Sequence, residues 1–318
     1  MSKPLTNYYD ILNILTLRVD DFGPGKKLGS FLYPYRIVEP RGESVELILC
    51  RQKEQIPKHL DELRSAKYKG IPWIMAIDCC NKNQIKRVYF YAAYFFTFLV
   101  LRIVLVPLLN YFLIKKGGFN ILGSAFRYQD RTVFIFGRPG SGKTHLTLQA
   151  LDKGAIFIAD NELLFFENGE IHGLTNEFEL RWNTAKDTLF WHQLTPQNKF
   201  CLLFYEMISV LSFRTISFNL SFDATDLGIM HTEKERSQNL LVIHLTDEHG
   251  EKRSTLESFI NAVMNYEKWY QSVFGGLITK YIEDNRSQLK RNMTSFFSDS
   301  SIWQMPIHAD IEKILITV

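Results

Sequence analysis

The chain has 318 residues, 46% hydrophobic and 14% aromatic, enough to bury a large core and too apolar for a mostly disordered chain. Its formal net charge of +3 is too small to point to nucleic acid or to an acidic partner. The 4 cysteines (Cys50, Cys79, Cys80 and Cys201) hold no CxxC pair or zinc-like spacing, and the first residues lack a secretory pattern, so reduced thiols and a cytoplasmic protein are predicted.

Residues 1–85 mix short apolar runs with turn signals at 22–25 and 39–42. Leu32–Val38 and Ser44–Leu49 read as strands of a hairpin, and Gln55–Lys67 as a short helix begun near Pro57. This stretch is predicted to be a small α+β region with no chemical signature of its own.

Val88–Ile114 is long enough to cross a bilayer and is flanked by Lys86-Arg87 and Lys115-Lys116. Arg102 lies near its middle, where a bilayer would charge about 2.5 kcal/mol or more for it. Pro107 and scattered Tyr and Thr residues also argue against a span. A helix buried against a sheet is therefore the preferred reading, with a membrane anchor as the alternative.

After Lys116-Gly117-Gly118, a helix-ending signal, strands and helices alternate. Asn120–Arg127 and Arg131–Phe136 read as strands joined by a polar turn at 128–130. A helix follows over Gly142–Leu151, then a short apolar strand, Ala155–Ala159, that ends on Asp160. Leu163–Phe166 and Glu170–Leu174 flank Asn168-Gly169, a hairpin signal. Lys199–Ser212 reads as helical or buried, and Asn239–Leu245 as a buried strand. Ser254 and Glu257 form a capping box that opens a helix. Ile302–Pro306 reads as a last strand, followed by a short helix from Ala309. The predicted fold class is α/β: a P-loop nucleotide-binding core with a mixed β-sheet and flanking helices over 86–318, after the small α+β region of 1–85.

The chemistry centres on Gly137-Arg138-Pro139-Gly140-Ser141-Gly142-Lys143-Thr144, a P-loop pattern between a strand and a helix. Its glycines let several backbone N–H groups converge on one anion, and the helix adds its positive end. Lys143 is placed to reach the β and γ phosphates of ATP, and Thr144 to supply a hydroxyl to Mg²⁺. Asp160, on the strand after that helix, is the leading carboxylate for Mg²⁺ or for general base work; the plainer reading is a turn or cap residue. Glu206 is a rival, whereas Asp247 in its polar stretch reads as a solvated loop charge. His145, Arg214 and Arg236 rank lower, because a lone histidine or loop arginine is more often packed or solvated than catalytic.

Three stretches, Leu108–Phe126, Thr132–Glu162 and Trp303–Leu315, resemble the C-terminal kinase domain of HPr kinase/phosphorylase and its looser relatives. The resemblance spans roughly residues 90–318 and is sharpest between about 120 and 175. It implies that Asp160 accepts the proton of a substrate hydroxyl and that Val88–Ile114 supplies a helix beside the nucleotide-binding sheet. It also implies oligomeric assembly. Gly123 stands where the family has a histidine, and Asn161 where it has a second acid. The family's downstream signature for docking HPr is absent, so the implied acceptor is another protein or small molecule. The resulting expectation is an ATP-binding, Mg²⁺-using kinase-like protein that transfers a phosphoryl group to a hydroxyl. Its alternatives are a catalytically impaired nucleotide-binding regulatory protein and a membrane-anchored P-loop NTPase.

Overall fold

The computed structural model describes residues 6–20, 28, 32–40, 44–60, 62–68, 71–81, 84–93, 97–175, 177–212, 219–236, 239–248, 250–274, 278–307 and 309–317. The turn signal at 22–25 and Arg214 lie outside the described residues. The fold is mixed α/β, with mixed sheets and flanking helices. It divides into two compact units, Met1–Gly117 with Met264–Lys290, and Gly118–Val263 with Arg291–Val318. The first division thus falls at 117, past the boundary at 85 that the sequence pattern suggests.

The first unit holds a seven-stranded sheet in the order β3-β1-β2-β4-β7-β6-β5. Its strands are β1 (Thr6–Ile11), β2 (Leu15–Asp20), β3 (Arg36–Ile37), β4 (Ser44–Leu49), β5 (Glu62–Tyr68), β6 (Ile71–Asn81) and β7 (Gln84–Ala92). The pairs β2–β4 and β4–β7 are parallel and the rest antiparallel. Alternation decides the buried face: Val45 and Leu47 of β4, and Val88 and Phe90 of β7, share it.

Three sequence expectations change here. Leu32–Val38 is no strand: Pro34 starts a 3₁₀ turn at Tyr33–Tyr35, leaving only Arg36–Ile37 to pair with β1. Gln55–Lys67 is no helix, because Glu62–Tyr68 pairs with β6 along its whole length. Cross-strand pairing there outweighs a helical propensity worth only tenths of a kcal/mol per residue. Val88–Ile114 is no single helix either. Val88–Ala92 completes β7, and the helical part runs from Thr97 to Lys115 with a π-helical segment at Leu101–Leu105. Pro107 follows that segment directly; it has no N–H to bond back to the preceding turn, so the regular ladder is interrupted where the π-helical turn occurs. The part of this helix from Val106 to Ile114 is almost wholly buried and packs on β2 and on the helix Ile278–Asp284, with Tyr111 edge-on to Tyr281 at 5.8 Å. Its sheet is thus that of the first unit. No helix among the described residues is long and apolar enough to cross a membrane.

The second unit holds an eight-stranded sheet in the order β14-β11-β10-β8-β9-β15-β17-β16. Its strands are β8 (Phe119–Tyr128), β9 (Arg131–Phe136), β10 (Ile156–Phe165), β11 (Glu170–Gly173), β14 (Lys234–Arg236), β15 (Leu240–Thr246), β16 (Lys252–Arg253) and β17 (Ser301–Pro306). A separate ribbon pairs β12 (Glu177–Leu180) with β13 (Leu220–Asp223). Strands β9, β15 and β17 run parallel, and the others are antiparallel.

Helices cover both faces, which is why β9 reads as a continuous apolar run. Val133 and Ile135 join Leu148 and Leu151 of the helix Lys143–Asp152 on one side. On the other, Phe134 and Phe136 meet Phe259 and Phe134 also meets Phe297, in aromatic pairs 5.2–6.5 Å apart that include Phe259–Phe297. The expected strands Ala155–Ala159 and Leu163–Phe166 are one strand, β10, because β8 pairs with it throughout. An extra residue, Ile158, bulges between Phe157 and Ala159. The helix expected from a Ser254 capping box starts one residue later, with Thr255 Oγ1 accepting from Ser258 N at 3.2 Å.

Gly123 of β8 marks a tight point. A Cβ there would lie 2.3 Å from Phe134 Cε2 and 2.9 Å from Ile135 O. A Gly123→Ala variant is expected to lose about 1–3 kcal/mol by overpacking. Urea denaturation measures it, and an unchanged midpoint would show that the Phe134 ring turns aside freely.

Candidate functional site

Strand β9 ends at Phe136, and the glycine-rich loop 137–142 leads into the helix Lys143–Asp152. The parallel neighbours β15 and β17 end at the same level. A Cβ on Gly137 would meet Leu245 Cβ at 3.0 Å, and one on Gly142 would meet Ile307 O at 3.3 Å. The loop therefore sits at the carboxyl ends of parallel strands, the usual ligand position in open α/β sheets.

Each loop glycine answers a local demand. Gly140 and Gly142 have φ of 81° and 94°, a left-handed backbone that side chains resist. Gly137 has no room for a Cβ, which would stand 2.5 Å from Ser141 Oγ. No side chain caps the helix start, and its first turn has no acid, so its leading N–H groups favour an anion.

The structure brings Lys143, Thr144 and Asp160 together. Lys143 Nζ folds back to donate to Gly137 O at 2.8 Å and Arg138 O at 3.1 Å. Burial lowers its pKa to about 8, while the charge of Asp160 pulls the other way. Thr144 Oγ1 donates to Asp160 Oδ2 at 2.8 Å. Asp160 is 2% exposed, and its Oδ1 is buried without a hydrogen-bond partner. Burial raises this carboxyl to about 6, against the Thr144 hydrogen bond, the Lys143 charge and the neighbouring Ser124 hydroxyl. Ser124 itself bonds Thr147 Oγ1 at 2.7 Å and donates to Ala159 O at 3.2 Å, so it braces the strand against the helix.

Two side chains missed by the sequence reading belong here. The ribbon β12–β13 packs on β10 through Phe178, whose ring centroid lies 4.0 Å from that of Phe157. Glu179, next to Phe178, adds a charge that pushes the Asp160 carboxyl further up. Ser124 is the Cα partner of Asp160 across β8 and β10. For Glu179 a signal existed: Glu177-Phe178-Glu179-Leu180 alternates polar and apolar, the pattern of a half-buried strand with two carboxylates on one face.

The remaining candidates lie elsewhere. Glu206 is on the helix Pro196–Leu211 and accepts from Asn183 Nδ2 at 3.1 Å. Asp247 is largely exposed, yet pairs with Arg138 of the loop. Arg236 is on the edge strand β14, and His145 is half-buried with Nδ1 unpartnered. Asn161 has φ of 81° in the middle of β10, and its register partner is Gly123. The two positions where the chain departs from the resemblance thus face each other, one pair along from Asp160 and Ser124. Among the described residues no group of three or more His, Cys, Asp or Glu side chains could hold a metal. No family model matches the chain, and no curated protein matches it.

Proposed function

We propose that the chain binds ATP at the glycine-rich loop and transfers the terminal phosphoryl group to a hydroxyl of a protein or small molecule. The observation that carries this reading is the 2.8 Å hydrogen bond from Thr144 Oγ1 to Asp160 Oδ2. It joins a hydroxyl at the start of the loop helix to a buried strand carboxylate, the two groups that a phosphate-bound cation needs side by side.

In this reading Lys143 leaves the loop carbonyls and meets the phosphates, whose other oxygens take the backbone N–H groups of the loop. Thr144 and Asp160 fit Mg²⁺: they offer hard oxygen donors, and Asp160 Oδ1 is buried with nothing to bond. Mg²⁺ takes few protein ligands and keeps water and phosphate oxygens, so two residues suffice. The ion supplies positive charge against the phosphate oxygens when bound. Asp160, with a pKa of about 6, is ionised at neutral pH and can accept the proton of the acceptor hydroxyl.

One observation favours a second reading, a regulatory protein that binds nucleotide without transferring phosphate. The Phe134 ring fills the space beside Gly123, where the resemblance places a histidine. Thermal unfolding with Mg-ATP, run beside an ATP turnover assay, separates the two. Stabilisation with turnover supports transfer, stabilisation alone supports the regulatory reading, and no stabilisation overturns both.

A further inference from the structure

The helix Pro196–Leu211 is firmly started, with Pro196 in its first turn and Thr195 Oγ1 accepting from Asn198 N at 3.2 Å. It buries only Leu202. Phe200, Leu203, Phe204, Met207, Val210 and Leu211 are 44–71% exposed. On a helix of 3.6 residues per turn these six fall within one stripe roughly 120° wide, the width of a core-facing surface.

The charges beside the stripe are self-complementary. Lys199 and Glu206 are the only charged residues of the helix, stand two turns apart and line the same flank. Each is steadied from its own chain: Lys199 Nζ lies 5.3 Å from the Trp191 ring centroid, and Glu206 accepts from Asn183. An anionic membrane surface would select a flank rich in cations, and this one sums to zero.

We propose that this face joins two copies of the chain, the helices running antiparallel about a two-fold axis at Leu203. An antiparallel pair about such an axis sets the same flanks side by side. Lys199 then opposes Glu206 of the second copy, and Phe200 opposes Met207, each twice, while Leu203 packs on its own counterpart. Such an isologous contact needs one self-complementary patch and closes at two. With 44–71% exposure the six side chains offer roughly 600 Å² per copy, so pairing can remove at most ~1,200 Å², the lower edge of specific interfaces.

The test is sedimentation equilibrium of the full chain at micromolar concentrations. The wild type is expected to dimerise, and Leu203→Glu, which sets two carboxylates at the axis, should weaken the dimer at least 100-fold. Leu203 is exposed, so far-UV circular dichroism should stay unchanged, and the melting temperatures should agree at concentrations where both proteins are monomeric. Lys199→Glu and Glu206→Lys should each weaken self-association about tenfold. Mixing those two variants should restore it as a mixed dimer, a rescue that misfolded variants cannot give. A monomeric wild type overturns the proposal, as does a dimer indifferent to Leu203→Glu. A monomer that binds phosphatidylcholine vesicles through this helix overturns it in favour of lipid.

Discussion

Lys143→Ala is expected to lose all stabilisation by Mg-ATP, whereas the wild type should gain about 2.7 kcal/mol at a ligand concentration 100 times Kd. The amine is the one cation held inside the loop, and it rests on two loop carbonyls that a phosphate would replace. Burial makes it costly without a ligand: its pKa is about 8 in the folded chain, against 10.5 as the reference value. Between those two pH values the unfolded chain binds more protons than the folded one, so stability rises with pH across that window. The rise is on the order of 3 kcal/mol in full. Below about pH 8 both states are protonated and the cost is fully present. The alanine variant should lack this rise, and paired melts from pH 7.5 to 10.5 measure it. A variant that kept the nucleotide shift would remove the loop from consideration.

Asp160→Asn should separate function from stability. Nucleotide binding is expected to survive within several-fold, while ATP turnover falls by about 10²–10⁴, the range that a positioned general base supplies. The same substitution should make the unliganded protein more stable at pH 7. The folded carboxyl holds its proton to about pH 6, and the unfolded one only to about 3.8. Stability therefore falls as pH rises from about 4 to about 6, by up to about 3 kcal/mol, and stays lower above that. Asparagine carries no charge, but its amide leaves a buried donor unpaired at about 1 kcal/mol or more, for a net gain of about 1–2 kcal/mol. Equal turnover in the variant would end the assignment of Asp160 as base. A fall in stability at pH 7 would mean that its ionised form is better solvated than its burial implies.

What could be read from the sequence was what local constraint enforces. Gly140 and Gly142 are needed where they stand because the backbone turns left-handed there, and such a demand shows in the residue type itself. The apolar run of β9 and the turn at Asn168-Gly169 were readable for the same reason. Residues 55–67 were misread because their state is decided by β6, whose strand they pair with. Nothing within their own window records that partner. Val88–Ala92 and Thr97–Lys115 merged into one apolar block because both are made almost wholly of apolar residues, and an unbroken apolar run hides the period that distinguishes strand from helix. Asp160 was found through its closeness to the loop in sequence, while Ser124 and Glu179 reach it from other strands and carry no such mark.

The division of the chain bears on the order in which it can fold during synthesis. Each unit is discontinuous: residues 264–290 belong with the first, and 291–318 return to the second. Strand β17 inserts between β15 and β16, so the eight-stranded sheet stays open until residues 301–306 have left the ribosome. The first sheet has all its strands by residue 92, yet the helix Ile278–Asp284 that covers Tyr111 is made almost two hundred residues later. Neither unit can finish early, and both must wait, partly assembled, for the last fifth of the chain. A nascent chain of which residues up to 263 have emerged would therefore expose the apolar helix of the first unit and the unpaired side of β15 at once, the kind of intermediate that chaperones hold.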